Sequence, residues 1–140
     1  MAISTDPEVR DLTVALDRAG VEVDGSSRAR AEYSSDASLY RVVPRAVAFP
    51  RDADDVEAAL SISRSLGIPL TARGAGTSIA GNAVGPGLIL DFSRYMNRVL
   101  AVDEEAGTAT VQPGVVLDTL QSATVPHGLR YGPDPSTHNR

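Results

Sequence analysis

Between Arg73 and Gly87 the chain places Gly74, Gly76, Gly81, Gly85 and Gly87 in one short stretch, with Pro86 before the last. A helix interior loses about 1 kcal/mol for each glycine relative to alanine, and a strand gains no packing from it. The stretch is therefore a loop. Its glycines let the backbone take positive φ and turn several N–H groups toward one point, while Thr77 and Ser78 add hydroxyl donors. That is the equipment for a phosphate or pyrophosphate. Two familiar phosphate loops are excluded. The dinucleotide pattern GxGxxG would need glycine at position 79 after Gly74 and Gly76, and Ile79 stands there; the P-loop pattern from Gly76 reaches Gly81 but then needs lysine and meets Asn82. A glycine-rich crossover that binds nothing remains the plain alternative.

The flanks read as alternating strands and helices. Asp6 and Pro7 look like an N-cap and first helical residue, and Val9, Leu12, Leu16 and Ala19 repeat on one face as far as Gly20. Residues 24–36 read as a polar, irregular connection. Ala46 to Phe49 is a buried strand. Asp52 caps a helix to Leu66 with Val56, Ala59, Leu60, Ser63 and Leu66 on one face, and Ile68 to Ala72 is a second strand. Strand, helix and strand between Ala46 and Arg73 have the size of a βαβ unit. Leu88 to Leu90 is a third strand. Val99–Val102 and Thr108–Val111 flank an Asp-Glu-Glu-Ala-Gly turn and form a hairpin, and Val115–Ser122 forms a short helix. The expected fold is α/β (α+β), a small mixed sheet with flanking helices.

Composition narrows the functions. Net charge is −5, without a basic patch interleaved with aromatics, which argues against a nucleic-acid partner. No apolar run approaches the roughly 20 residues that cross a bilayer, and residues 1–10 do not resemble a signal peptide. There is no cysteine, so this segment offers neither a thiolate nucleophile nor an iron–sulfur ligand. All 13 basic residues are arginine, which removes lysine chemistry. His127 and His138 lack the carboxylate spacing of a metal site, and no metal is expected. Asp54, Asp55, Glu104 and Glu105 read as ordinary helix-start and turn charges. Arg73 either anchors the loop or faces phosphate; Asn82 either bonds backbone or reaches a ligand.

The run Arg-Gly-x-Gly-Thr-Ser-x-x-Gly resembles the pyrophosphate loop of the vanillyl-alcohol-oxidase (PCMH) type of FAD-binding domain, and the resemblance extends from Arg41 to Arg140. Pro44–Pro50 looks like that family's first strand, Asp54-Asp55-Val56 like the start of its first helix, and Gly67–Leu70 like the entry to its second strand. Val111–Val115 looks like a strand end that lines the flavin. Tyr33–Ser38 and Gly132–Thr137 resemble flanking motifs of the FAD-linked D-2-hydroxy-acid dehydrogenases, which include D-lactate dehydrogenase, the glycolate oxidase flavin subunit and D-2-hydroxyglutarate dehydrogenase.

The resemblance implies a division into an N-terminal helix and connection over residues 1–40 and the first lobe of a two-lobe FAD domain over 41–140, truncated before an Ile-Gly-Gly segment past Arg140. It implies that FAD meets Arg73, Gly74, Ala75, Gly76, Thr77, Ser78, Gly81, Asn82, Pro113, Gly114, Val115, Pro135 and Ser136. Thr77 stands where covalently flavinylated relatives carry histidine, so the FAD is expected to be non-covalent. The substrate would be a small D-2-hydroxy acid, oxidised by residues that lie outside this sequence; any iron–sulfur cluster would lie there too. The expected location is cytoplasmic, at most peripheral to the inner face of the membrane, and an exposed inner face predicts self-association. The alternative is a non-enzymatic nucleotide- or anion-binding module built on the same lobe.

Overall fold

A computed structural model describes residues 7–140. Asp6, the expected cap of the first helix, lies outside them. The elements run in the order α1 (Pro7–Arg18), β1 (Val23–Asp24), α2 (Ser27–Glu32), β2 (Ala46–Ala48), α3 (Ala53–Ser65), β3 (Leu70–Arg73), β4 (Leu88–Asp91), β5 (Val99–Asp103), β6 (Thr108–Val111) and α4 (Leu117–Thr124), followed by a 3-10 turn at Val125–His127. The expected mixed α/β architecture is present. None of the helices is long and apolar enough to cross a membrane among the described residues.

β4 is the organising strand. All of its residues are buried, as expected for a central parallel strand covered on both faces. The sheet order is β1-β2-β4-β3, with β2, β4 and β3 mutually parallel and β1 antiparallel at the edge. The expected strand–helix–strand unit exists, but its two strands are not neighbours, because β4 enters between them. Alternation along the strands divides the core. Ala46, Ala48, Leu88 and Leu90 face Leu12 and Leu16 of α1 and Ala59 of α3, while Val47, Phe49 and Ile89 face Ala29 of α2 and Tyr33. The N-terminal helix thus shares the core with the sheet. β5 and β6 form a separate antiparallel hairpin with a register shift between Val99 and Ala101.

Three local readings need correction. The stretch 24–36 is not wholly irregular. Ser26 accepts a hydrogen bond from the Ala29 N–H and starts α2, which buries only Ala29 and so leaves no helical periodicity in the sequence. The buried face of α3 is rotated from the expected one. Asp55, Ala59 and Ser63 are buried, whereas Leu60 and Leu66 stay 47% and 43% exposed. Asp55 is also more than a helix-start charge. Its carboxylate accepts from the backbone N–H and Nε of Arg51 at 2.9 and 3.0 Å.

Burial alone would raise the Asp55 pKa, but the Arg51 hydrogen bonds and charge outweigh it and hold the carboxyl below its usual value. A carboxyl depressed in the folded state stabilises the fold above its unfolded pKa of about 3.9, and that stability disappears as pH falls through the folded value. Asp55→Asn is therefore expected to lower the thermal midpoint at pH 7 and to flatten the decline of the midpoint below about pH 4. Midpoints measured from pH 3 to 7 test this; parallel curves for the two proteins would reject it.

Candidate functional site

The glycine loop is itself the crossover between neighbouring parallel strands. It leaves β3 at Arg73 and enters β4 at Leu88, with no helix or strand between. Its first residues therefore lie at the carboxyl ends of the parallel strands, where open α/β sheets place their ligand crevices, and the loop then returns along β3, with Gly87 against the Pro69 carbonyl. The backbone N–H groups from Gly74 to Ile79 have no hydrogen-bond acceptor among the described residues. Buried donors are almost always paired within a protein; this row is left to solvent or to a ligand. Gly74 faces open space.

The rest of the loop is tied down from behind. Arg73 donates through one nitrogen to the carbonyls of Ser35 (2.9 Å) and Ala83 (3.0 Å), and its guanidinium lies 5.0 Å from the Tyr33 ring centre. Those bonds favour the anchoring role of Arg73 over contact with phosphate. Gly76 turns at φ +69°, with its Cα against that guanidinium. Ser78 Oγ accepts from the N–H groups of Ala80 and Asn82, so Asn82 closes the loop through its backbone, and the Ser78 hydroxyl proton remains free to donate. Gly81 carries the ring of Tyr40. Asp36 accepts from the N–H of Ser38 and of Ala83. The Ser38 hydroxyl, against the opposing effect of desolvation, together with those N–H groups and Arg73, holds the Asp36 carboxyl below its usual pKa.

Two cavities meet at Ala75 and Arg140. One, of about 440 Å³, is polar and includes Ser35, Asp36, Arg73, Gly76, Thr77 and Thr137. The other, of about 350 Å³, brings Gly74 and Ala75 against Ser93, Pro113, Gly114 and Val115. The two groups of expected site residues, Arg73–Thr77 and Pro113–Val115, are thus joined across nearly forty intervening positions. Gly114 donates to the Met96 carbonyl at 2.8 Å and sits directly on the Phe92 carbonyl, which hangs this wall on the turn after β4. Pro135 and Ser136 line neither cavity; their neighbours Thr137, Asn139 and Arg140 do.

His138 is turned away, with Nδ1 2.7 Å from Asp118 Oδ1, and His127 pairs with Glu104. Glu104 is therefore engaged rather than a free turn charge. No cluster that could hold a metal ion occurs among the described residues. Sequence reasoning missed Asp91 and Ser93. Asp91 is 5% exposed and closes the otherwise apolar strand Leu88-Ile89-Leu90, which is the one signal that marks it.

Residues 44–140 match the family model described as FAD binding domain. The chain is 37% identical over 122 residues to a D-2-hydroxyglutarate dehydrogenase of Pseudomonas putida, covering 85% of this chain and 12% of that protein. It is 41% identical over 117 residues to the glycolate oxidase subunit GlcD of Bacillus subtilis, covering 81% of this chain and 25% of that one. The chain thus spans between about an eighth and a quarter of these relatives. The fold is shared with 4-ethylphenol oxidase from Gulosibacter chungangensis at a TM-score of 0.72 and 24% identity, over 96% of this chain and 27% of that one.

Proposed function

The chain belongs to the FAD binding domain family, and from that premise we propose that it forms the phosphate-holding cradle of a flavin-dependent oxidoreductase acting on a small D-2-hydroxy acid of the lactate, glycolate or 2-hydroxyglutarate class. The observation that carries this reading is the row of uncommitted N–H groups from Gly74 to Ile79, whose first members, Gly74 and Ala75, face the Pro113–Val115 wall. Clustered N–H groups of this kind bind anions even in an acidic protein. The 37% and 41% identical relatives, a D-2-hydroxyglutarate dehydrogenase and a glycolate oxidase subunit, support the substrate class.

Bound FAD would supply the hydride acceptor for such an oxidation. The chain's own residues bind and orient. The N–H groups of Gly74 to Ser78 take the pyrophosphate, with the hydroxyls of Thr77 and Ser78 as further donors. Pro113, Gly114 and Val115 form the facing wall. Arg73, Gly81 and Asn82 hold the loop in shape, and Pro135 and Ser136 lead the tail to the cavity edge. None of these cradle residues is assigned the proton or hydride chemistry.

Thr77 has no nucleophilic nitrogen and this segment has no cysteine, so the loop offers the flavin no covalent link, and the cofactor is expected to be held without one. Gly74, Ala75 and Thr77 are exposed, which falls short of the roughly 70–90% enclosure of a usual cofactor site. Each 1.4 kcal/mol forgone weakens binding about tenfold. Titration of this chain with FAD, followed by flavin fluorescence, is expected to show micromolar or weaker affinity, and acid denaturation should release all of the flavin. A fluorescent band after denaturing electrophoresis would reject the non-covalent reading, and no uptake at millimolar FAD would reject the cradle. In a protein carrying this segment at the length of its relatives, D-lactate, glycolate or D-2-hydroxyglutarate is expected to bleach the flavin absorbance. Bleaching by L-hydroxy acids alone would reject the substrate class.

A further inference from the structure

Beneath the loop lies a polar hub centred on the buried carboxylate of Asp91. The Asp91 carboxylate at the end of β4 is only 5% exposed. One of its oxygens accepts from the Tyr33 hydroxyl at 2.5 Å. The other accepts from both the N–H and the hydroxyl of Ser93, at 2.7 and 2.5 Å. A carboxylate taken out of water needs such donors, and losing one is costly because the charge cannot easily find another. The two oxygens serve different walls. The Tyr33 ring underlies Arg73, which ties the Ser35 and Ala83 carbonyls and so sets the loop. The same ring is wedged edge-on against Phe49, at 6.1 Å between centres, so its position is fixed by the core. Ser93 lies in the turn whose Phe92 and Met96 carbonyls seat Gly114.

We propose that Asp91 and Tyr33 are positioning residues of the cofactor cradle. One carboxylate oxygen sets the glycine loop through Tyr33 and Arg73, and the other sets the facing wall through Ser93. Neither residue needs to touch the cofactor; together they hold the spacing between the two surfaces that do. The inference rests on the reading of this cleft as the cofactor site. Tyr33 should affect the loop alone, and Asp91 both walls.

The test uses amide hydrogen exchange resolved by residue, with calorimetric titration of inorganic pyrophosphate, on the wild-type chain, Tyr33→Phe and Asp91→Asn. The amides of Ala37, Ala80, Asn82 and Ala83 report on the loop, since each is hydrogen-bonded within or onto it. The Gly114 amide, bonded to Met96, reports on the wall. Tyr33→Phe is expected to speed exchange of the loop amides about tenfold, the scale of one lost hydrogen bond to a charged group. The Gly114 amide and those of α3 should stay at wild-type rates, and pyrophosphate affinity should fall by a similar factor. Asp91→Asn should loosen Gly114 as well. Equal acceleration across α3, the loop and Gly114 in Tyr33→Phe would assign the hydrogen bond to global stability alone and overturn the proposal, as would unchanged loop exchange. Should Asp91→Asn not fold, Ser93→Ala, which removes the hydroxyl donor on the wall side, takes its place: it should speed exchange of Gly114 and leave the loop amides at wild-type rates, and unchanged Gly114 exchange would overturn the proposal. Should the wild-type chain take up no pyrophosphate, the cofactor reading fails, while the exchange rates still decide whether Asp91 and Tyr33 order the loop.

Discussion

Gly76→Val is expected to lower the affinity of the chain for FAD or pyrophosphate by about 10- to 100-fold while leaving its thermal midpoint within a few degrees of wild type. Gly76 sits at φ +69°, where a non-glycine residue costs about 1–3 kcal/mol and a β-branched one falls at the upper end. A Cβ there would also stand 2.4 Å from an Arg73 guanidinium nitrogen. The end of an arginine side chain can move aside, so this clash is relieved rather than endured. The relief, however, pulls Arg73 from the carbonyls of Ser35 and Ala83. Backbone strain and the lost anchor therefore act on the same loop. At about 1.4 kcal/mol per factor of ten, their sum gives the stated range. In the free chain the loop can relax out of the strained conformation by a local rearrangement that spares the core, and the cost is then met on binding, which needs the loop back in place. Affinities of the two proteins compared by flavin fluorescence check this; equal affinities would place the phosphates elsewhere.

Gly114→Ala should produce the larger loss of stability. An added Cβ would lie 2.2 Å from the Phe92 carbonyl oxygen and 2.9 Å from that of Met96. These are backbone atoms. Phe92 follows β4 directly and its N–H is bonded to the Arg73 carbonyl, so it cannot retreat without disturbing the sheet edge. Overpacking in a well-packed region typically costs about 1–3 kcal/mol, and a clash with pinned backbone belongs at the top of that range or above. Against a total stability of about 5–15 kcal/mol for a domain, this is a substantial fraction. Chemical denaturation of both proteins measures the difference at the transition midpoint. A variant as stable as wild type would mean that the 113–115 wall does not approach the Phe92 turn as described.

Much of the local structure was legible because its causes are local. Asp52 caps α3 by accepting from the Asp55 N–H, and the acidic turn between β5 and β6 contains Gly107 at φ +62°. The glycine density after Arg73 excluded a regular element before any fold was considered. What escaped the sequence had weak or non-local causes. α2 buries one alanine and carries no periodic stripe. The face of α3 was misplaced because Asp55 takes a buried position through its bonds to Arg51, while Leu60 and Leu66 point outward. A hydrophobicity pattern cannot anticipate a carboxylate that is buried because an arginine satisfies it.

For the candidate site the division is similar. The amino-acid sequence by itself determined that residues 74–87 form a loop, that the loop can present backbone donors and hydroxyls to an anion, and that neither cysteine nor lysine chemistry occurs in this segment. Those properties follow from residue type and hold in any fold. Only the tertiary structure decided that β4 enters between β2 and β3, because strand order depends on which distant segments pair. That insertion places Asp91 and Ser93 beneath the glycine loop, turns Arg73 inward as its anchor, and brings Pro113–Val115 across from Gly74. The sequence spacing of these residues carries no such information, since their proximity is created by hydrogen bonds and packing between strands that are remote along the chain.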